Sequence, residues 1–250
     1  MNNSFYFLNE FTYSKRIHFE IFNKCKNDIE LFKYKIDPDN CDLKVYQDLL
    51  VFYLLKRFLK PGFKILEIGG GNSRIIEFLK NQYEFWNLDK LEGLGNGPKN
   101  LEVNGFNLIQ DYIGNFNNQL PDNYFDIVFS ISALEHIPLD ESTDKKIYLN
   151  TLSDINRLMC DNGLSIHCID HTTDLLYDTE EELWTNPFIT FLYENEKILN
   201  DFVNLKVAEN DPDLFCVSES FYNLHWKPVT GKDYCEFGKP FSYNIFWKKS

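Results

Sequence analysis

Three consecutive glycines, Gly69, Gly70 and Gly71, follow the run Ile65-Leu66-Glu67-Ile68, in which Glu67 is the one charged residue, and lead into Asn72-Ser73-Arg74. Without side chains at three successive positions the backbone can bend tightly and approach a ligand. Asn72 or Ser73 is suited to cap the next helix, whose first amides favour an anionic group. Taken alone, such a turn is also what any sharp strand-to-helix bend needs for steric reasons. Spacing raises it above that. A second run, Tyr83 to Leu88, ends at Asp89, 18 residues past Gly71, near the roughly 20-residue interval at which a strand-end carboxylate accepts from ribose hydroxyls. Together the two features point to a nucleoside. A dinucleotide oxidoreductase shares both but needs a later glycine to close helix against strand, and here Asn72, Ser73 and Arg74 follow Gly71. That reading is therefore set aside.

The elements that must position these residues are legible from periodicity. From Leu43 the apolar positions Tyr46, Leu49, Leu50, Tyr53, Leu54 and Phe58 recur at helical spacing until Pro61-Gly62, which predicts a helix and a turn. Strands are expected over Lys64 to Ile68, Tyr83 to Leu88, Phe106 to Gln110 and Phe125 to Ile131, with a helix from Ser73 to Lys80. An amphipathic helix from Asp144 to Met159 carries Tyr148, Leu152, Ile155 and Met159 on one face. Asp161-Asn162-Gly163 is expected to turn it into a strand over Leu164 to Ile169, and Phe241 to Trp247 reads as a terminal strand. Strands alternating with helices predict an α/β, doubly wound, mostly parallel sheet.

The stretch Leu66-Glu67-Ile68-Gly69-Gly70-Gly71-Asn72-Ser73 resembles the first motif of class I S-adenosylmethionine-dependent methyltransferases, a strand and an acidic residue followed by a glycine-rich turn, with Ser73 where the third glycine usually stands. Leu120 through Ile137, LPDNYFDIVFSISALEHI, is similar to the fourth-strand tract of the small-molecule branch of that family. The resemblance runs from about Leu43 to His171. It implies a seven-stranded Rossmann-like sheet and S-adenosyl-L-methionine as cofactor. It further implies that Glu67 and the Gly69, Gly70 and Gly71 backbone hold the methionyl part, that Asp89 takes the ribose, that Asp111 with Tyr112 meets the adenine, and that Ser130 and Ile131 offer backbone groups to the methionyl amine.

Methyl transfer is an in-line displacement, so most of its acceleration comes from placement, and a base is needed only when the acceptor must lose a proton. Glu135 and His136 follow the fourth strand and Asp170 and His171 the fifth. His136, His171 and Glu135 are thus the catalytic candidates, imidazole being suited by a pKa near neutrality. His167, at mid-strand, is expected to be a satisfied core residue, and His18 and His225 have no assigned place. A metal shared by His136, His167, Asp170 and His171 is not expected, because neighbouring strand residues point to opposite faces.

The 250 residues carry a formal charge of -13, which disfavours a polyanionic partner, and the longest basic runs are as short as Lys248-Lys249. The longest apolar stretch, Leu49 to Leu55, is far below the roughly 20 residues that span a bilayer. The beginning, Met1-Asn2-Asn3-Ser4, has neither the basic nor the apolar part of a secretory signal. The six cysteines are scattered, as expected for reduced thiols in a cytoplasmic protein. The organisation expected is a helical cap or lid over residues 1–42 and a methyltransferase domain over 43–250, with 172–240 an irregular substrate-side insertion. The expected reaction is methyl transfer to a small polar acceptor, specifically O-methylation of a sugar or related metabolite. Aromatic residues beyond one core's needs, among them Trp184, Tyr222 and Trp226, are taken as stacking surfaces for a ring. N-methylation of a small amine and a catalytically inactive binding or scaffold protein are the alternatives, and a homodimer is left open.

Overall fold

The computed structural model describes residues 6–24, 36–93, 97–137, 146–173, 187–194 and 205–249. A six-stranded sheet in the order β3-β2-β1-β4-β5-β6 organises them. Its strands are β1 (Lys64–Ile68), β2 (Glu84–Leu88), β3 (Asn107–Ile109), β4 (Phe125–Ile131), β5 (Met159–Thr173) and β6 (Lys239–Lys248). The first five pair in parallel. β6 runs the other way against β5: Lys249 donates to the Gly163 carbonyl at one end, while Gly238 abuts Thr173 at the other. The expected α/β, mostly parallel architecture is thus present, with six strands rather than seven among the described residues.

The chain divides into two compact units, residues 54–168 with 245–250, and residues 1–53 with 169–244. In the first, β1 and β4 lie between other strands, and their side chains from Ile65 to Ile68 and from Ile127 to Ile131 are buried. That is why both read as nearly unbroken apolar runs: a parallel strand covered on both faces has no solvent side on which to alternate. Helix α3 (Arg74–Leu79) is capped by Ser73, whose hydroxyl accepts from the Ile76 amide at 3.1 Å. With six residues it is too short to support the anion site its sequence suggested. Helix α4 (Lys146–Leu158) buries Tyr148, Leu152, Ile155 and Leu158 on one face, as its periodicity requires. Asp161-Asn162-Gly163 is not a separate turn. β5 runs through it with a register shift between Phe125↔Met159 and Ile127↔Leu164, and Asn162 takes φ 63° there, so the polar triplet forms a bulge.

In the other unit, α1 (His18–Lys24) and the start of α2 (Leu43–Phe58) contribute Phe19, Phe22 and Tyr46 to an aromatic cluster with Phe11 and Phe215. His18 sits inside it, its Nδ1 2.6 Å from the Tyr46 hydroxyl and its Nε2 3.1 Å from the Glu10 carbonyl. The described part of residues 1–42 therefore puts Leu8, Phe11, Phe19 and Phe22 into the core and is tied in by antiparallel bridges Tyr13↔Tyr243 and Lys15↔Leu214. A buried polar lattice completes it: the Gln47 amide donates to Asp170 and Ser242, and Asn244 donates to the Phe11 carbonyl. Much of the aromatic surplus is spent on this packing. Tyr222 is fully buried, its hydroxyl bonded to Thr230 and to the Lys232 carbonyl, so it is no stacking surface. Trp226 is half-buried and donates to Asp42. Trp184, the acidic run Asp178 to Glu182 and the middle of the loop after β2 lie outside the described residues. No described helix is long and apolar enough to cross a membrane.

Candidate functional site

The strand order reverses direction between β1 and β4, and the carboxyl edge at such a point is where open α/β sheets take their ligands. The glycine turn leaves β1 at that edge. Gly69, at φ +67°, packs against Ala133 so closely that an added Cβ would lie 2.5 Å from the alanine's own. Gly70 needs glycine for space alone: a Cβ there would lie 2.7 Å from Cδ of Glu67 and 2.9 Å from Oδ1 of Asn87. The bare backbone thus leaves a cradle directly over the Glu67 carboxyl group, which is almost completely buried at the end of β1.

Asp89, just beyond β2, is bonded to that turn. Its Oδ2 accepts from the Gly71 amide at 2.8 Å and its Oδ1 from the Leu91 amide at 2.7 Å. Each carboxylate oxygen has a second lone pair for another donor. Asp111, two residues past β3, is held as firmly. Oδ1 accepts from the Tyr112 amide (2.8 Å) and from Asn115 (2.6 Å), and Oδ2 from Asn117 (2.7 Å). Partial burial pushes its pKa up, but the bonds from Asn115, Asn117 and the Tyr112 amide, with Lys90 nearby, outweigh it and hold the carboxyl below its ordinary range. The Tyr112 hydroxyl donates to Glu92, and this bond is the main reason its pKa is pushed up to about 12.

On the β4 side, Ser130 is in ladder register with both Ile68 and His167, and its hydroxyl lies 2.7 Å from His167 Nδ1. Ile131 is the first β4 residue past the last β1 pair. Beyond it a 3-10 turn, Leu134–His136, starts beside Gly69 at Ala133 and leaves Glu135 half-buried and His136 exposed. His167 is the satisfied core histidine expected: its Nε2 lies 2.6 Å from Ser165, its ring stacks on Trp247, and burial pushes its pKa down to about 3. His171 belongs to the other compact unit. It is 5% exposed, its ring tilted over Phe241 at 5.4 Å, and neither ring nitrogen has a hydrogen-bond partner among the described residues. Burial pushes its pKa down to about 4, which makes it a weak base.

Two supports escaped the sequence reading. Asn87, fully buried in β2, lies 3.2 Å from the Gly70 amide, which it accepts, and donates to the Gly71 carbonyl at 3.2 Å. Its signal was an amide at an inward position of an apolar strand. Replacing Asn87 with leucine is expected to cost about 2 kcal/mol of unfolding free energy, since the part-buried Gly70 amide and the buried Gly71 carbonyl lose their partner. Urea titration measures it, and an unchanged midpoint would show that the turn stands without the brace. The second support is the pair formed by buried Asp154 and half-buried Arg157 of α4. Asp154 accepts from the Gly114 (2.8 Å) and Phe116 (3.1 Å) amides and from Arg157 Nε (2.8 Å). Arg157 also donates to the carbonyls of Leu120 (2.9 Å) and Asn117 (3.3 Å) and pairs with Asp122. Arg157→Met should lower stability by about 3 kcal/mol by stranding the Asp154 charge; a loss below about 1 kcal/mol in the same titration would contradict that.

Among the described residues no three His, Cys, Asp or Glu side chains group as a metal site would require. What the fold and the site define is a Rossmann-like α/β protein with carboxyl groups at three consecutive strand ends, Glu67, Asp89 and Asp111, around a bare glycine turn. Among solved structures the chain is similar to a TehB-like SAM-dependent methyltransferase from Corynebacterium glutamicum, at 15% identity over 93% of this chain and 99% of that one, TM-score 0.43. It is also similar to phosphoethanolamine N-methyltransferase 2 of Haemonchus contortus in complex with S-adenosyl-L-methionine, at 18% identity over 80% of this chain and 51% of that one, TM-score 0.45. A third similarity is to an rRNA methylase from Streptococcus thermophilus, at 14% identity over 81% of this chain and 96% of that one, TM-score 0.43. The chain spans about half the length of the Haemonchus protein. No protein-family model and no curated protein matches the sequence.

Proposed function

We propose that this protein is an S-adenosyl-L-methionine-dependent methyltransferase acting on a small polar acceptor. The observation that carries the reading is the 2.8 Å bond between Asp89 and the Gly71 amide, which draws a strand-end carboxylate against the glycine turn whose bare backbone leaves room above Glu67. The residues fit the cofactor's chemistry. Beside its one methionyl carboxylate it bears an ammonium, a sulfonium, ribose hydroxyls and an exocyclic amine, which are cationic or donating, and the groups gathered here to meet these are carboxylates. Glu67 and the turn would hold the methionyl ammonium, Asp89 the ribose, and Asp111 with Tyr112 the adenine. Ile131 would offer its backbone to the amine more readily than Ser130, which is held within the ladder. The cofactor supplies a methyl group already activated on sulphur, so the chain's task is to orient the acceptor and exclude water.

His136 is the proposed base. Its exposed imidazole ends the 3-10 turn that starts at Ala133 against Gly69, where it would take a proton from a hydroxyl acceptor, with Glu135 adjacent. His171, buried and weakly basic, is the lesser candidate. A base at this edge favours O-methylation, and a sugar or related metabolite is the proposed substrate. The acidic charge speaks for a small molecule over nucleic acid, and the scattered cysteines accord with a cytoplasmic protein.

Calorimetric titration with S-adenosylhomocysteine tests the cofactor assignment. Saturable uptake is expected, and Asp89→Ala should weaken it about a hundredfold, since two hydroxyl bonds to a charged group are lost. Affinity equal to the unmodified protein's would remove the ribose role. With labelled methyl donor and a pool of polar metabolites, His136→Gln should lower turnover about a hundredfold while cofactor affinity holds; full turnover would take histidine out of the reaction at this position.

A further inference from the structure

The proposed adenine residue, Asp111, is held from outside its own strand. Asn117 donates to Oδ2 at 2.7 Å, and the Asn117 backbone carbonyl accepts from Arg157 at 3.3 Å. Arg157 is fixed by Asp154, whose other oxygen gathers the amides of Gly114 and Phe116 from the same loop. A partly buried ion pair on α4 therefore reaches the carboxylate through one asparagine. A carboxylate has about four acceptor positions. Here Oδ1 is filled by the Tyr112 amide and by Asn115, and Oδ2 is half filled by Asn117. Among the described residues that leaves a single acceptor position on Asp111, in a direction set by Asn117.

We propose that Asn117, backed by Arg157 and Asp154, is a positioning residue that sets base specificity: it fixes Asp111 so that the site takes a base edge presenting an N–H donor and rejects one presenting a carbonyl. This rests on the cofactor reading above and deepens it. An aminopurine such as adenine meets the open acceptor with a hydrogen. Hypoxanthine brings an oxygen to the same place, and two acceptors with no proton between them repel. The discrimination requires the carboxylate to stay where it is. A rotating carboxylate would turn a filled oxygen away and meet either base through water.

The full chain and its Asn117→Ala and Asn117→Asp variants are titrated with S-adenosylhomocysteine and with S-inosylhomocysteine, and melting is followed in parallel. The unmodified protein is expected to prefer the adenosine form by on the order of a hundredfold. In Asn117→Ala the preference should fall about tenfold, through weaker binding of the adenosine form alone, with melting unchanged. Asn117→Asp, of equal size but without the donor, should lose at least as much. Loss of affinity for both compounds by the same factor would mark Asn117 as merely structural and overturn the inference, as would an unaltered preference in either variant, while the cofactor reading stood. No saturable uptake of either compound by the unmodified protein would remove both.

Discussion

Gly70→Ala is expected to abolish measurable binding of S-adenosylhomocysteine, a loss beyond a thousandfold, in a protein that still folds. The added methyl would sit 2.7 Å from Cδ and 2.9 Å from Cγ of Glu67, and 2.9 Å from Oδ1 of Asn87, distances that force something to shift. Overpacking a closely filled site costs roughly 1–3 kcal/mol of stability. The effect on binding is larger, because the group that must yield is the buried carboxylate proposed to hold the ammonium. Gly70 does not have the left-handed φ of its neighbours Gly69 and Gly71, so the alanine costs no backbone strain and its consequence is confined to the cradle. Titration of the variant beside its melting curve separates the two effects. Retained affinity with a normal melt would show that the space over Glu67 is not where the cofactor lies.

Acid should destabilise both compact units well before their carboxylates titrate. His18 and His171 in one unit and His167 in the other are buried and neutral, their pKa values pushed down by burial to about 4, about 4 and about 3. In the unfolded chain each returns to about 6.5. As pH falls below 6.5 the unfolded state therefore gains protons that the folded state refuses. The stability is fully present above pH 6.5 and drains away down to about pH 4, and to about pH 3 for His167. Each histidine contributes about 1.4 kcal/mol per pH unit inside its window. The carboxyls of Asp111 and of Asp211, which accepts from the Tyr13 hydroxyl, have lowered pKa values and add their own loss only below about pH 4, so the slope above that pH belongs to the histidines. Unfolding free energy measured at pH 7.5, 6 and 5 gives the slope, and His167→Gln should reduce it by one proton's worth in the unit that holds it. A flat profile from pH 7.5 to 5 would show that these rings take up protons in place.

How far the site could be read before folding depends on the range of the interactions involved. Gly69 to Gly71 and Asp89 are legible because a strand end and the turn after it fix local geometry, and the interval between parallel strands is set by the length of one crossover. Asn87 and Arg157 are not legible, because each acts on a residue that only sheet pairing or helix packing brings close, and Asn117 is not, because the loop that carries it six residues past Asp111 has no periodicity to aim its side chain. The same limit explains Tyr222 and His171. An aromatic ring or an imidazole near a strand end suits a ligand or a core equally well, and burial alone distinguishes them.

By itself, then, the sequence determined the alternating order of strands and helices, the buried character of β1 and β4, and the carboxylates that end successive strands, since periodicity and turn chemistry are local. The tertiary structure decided which of those groups meet: Asp89 against Gly71, Arg157 against the Asn117 carbonyl, and His171 sealed beside Phe241 while His136 stays in solvent. Those choices depend on contacts between residues distant along the chain, whose energy no local pattern encodes.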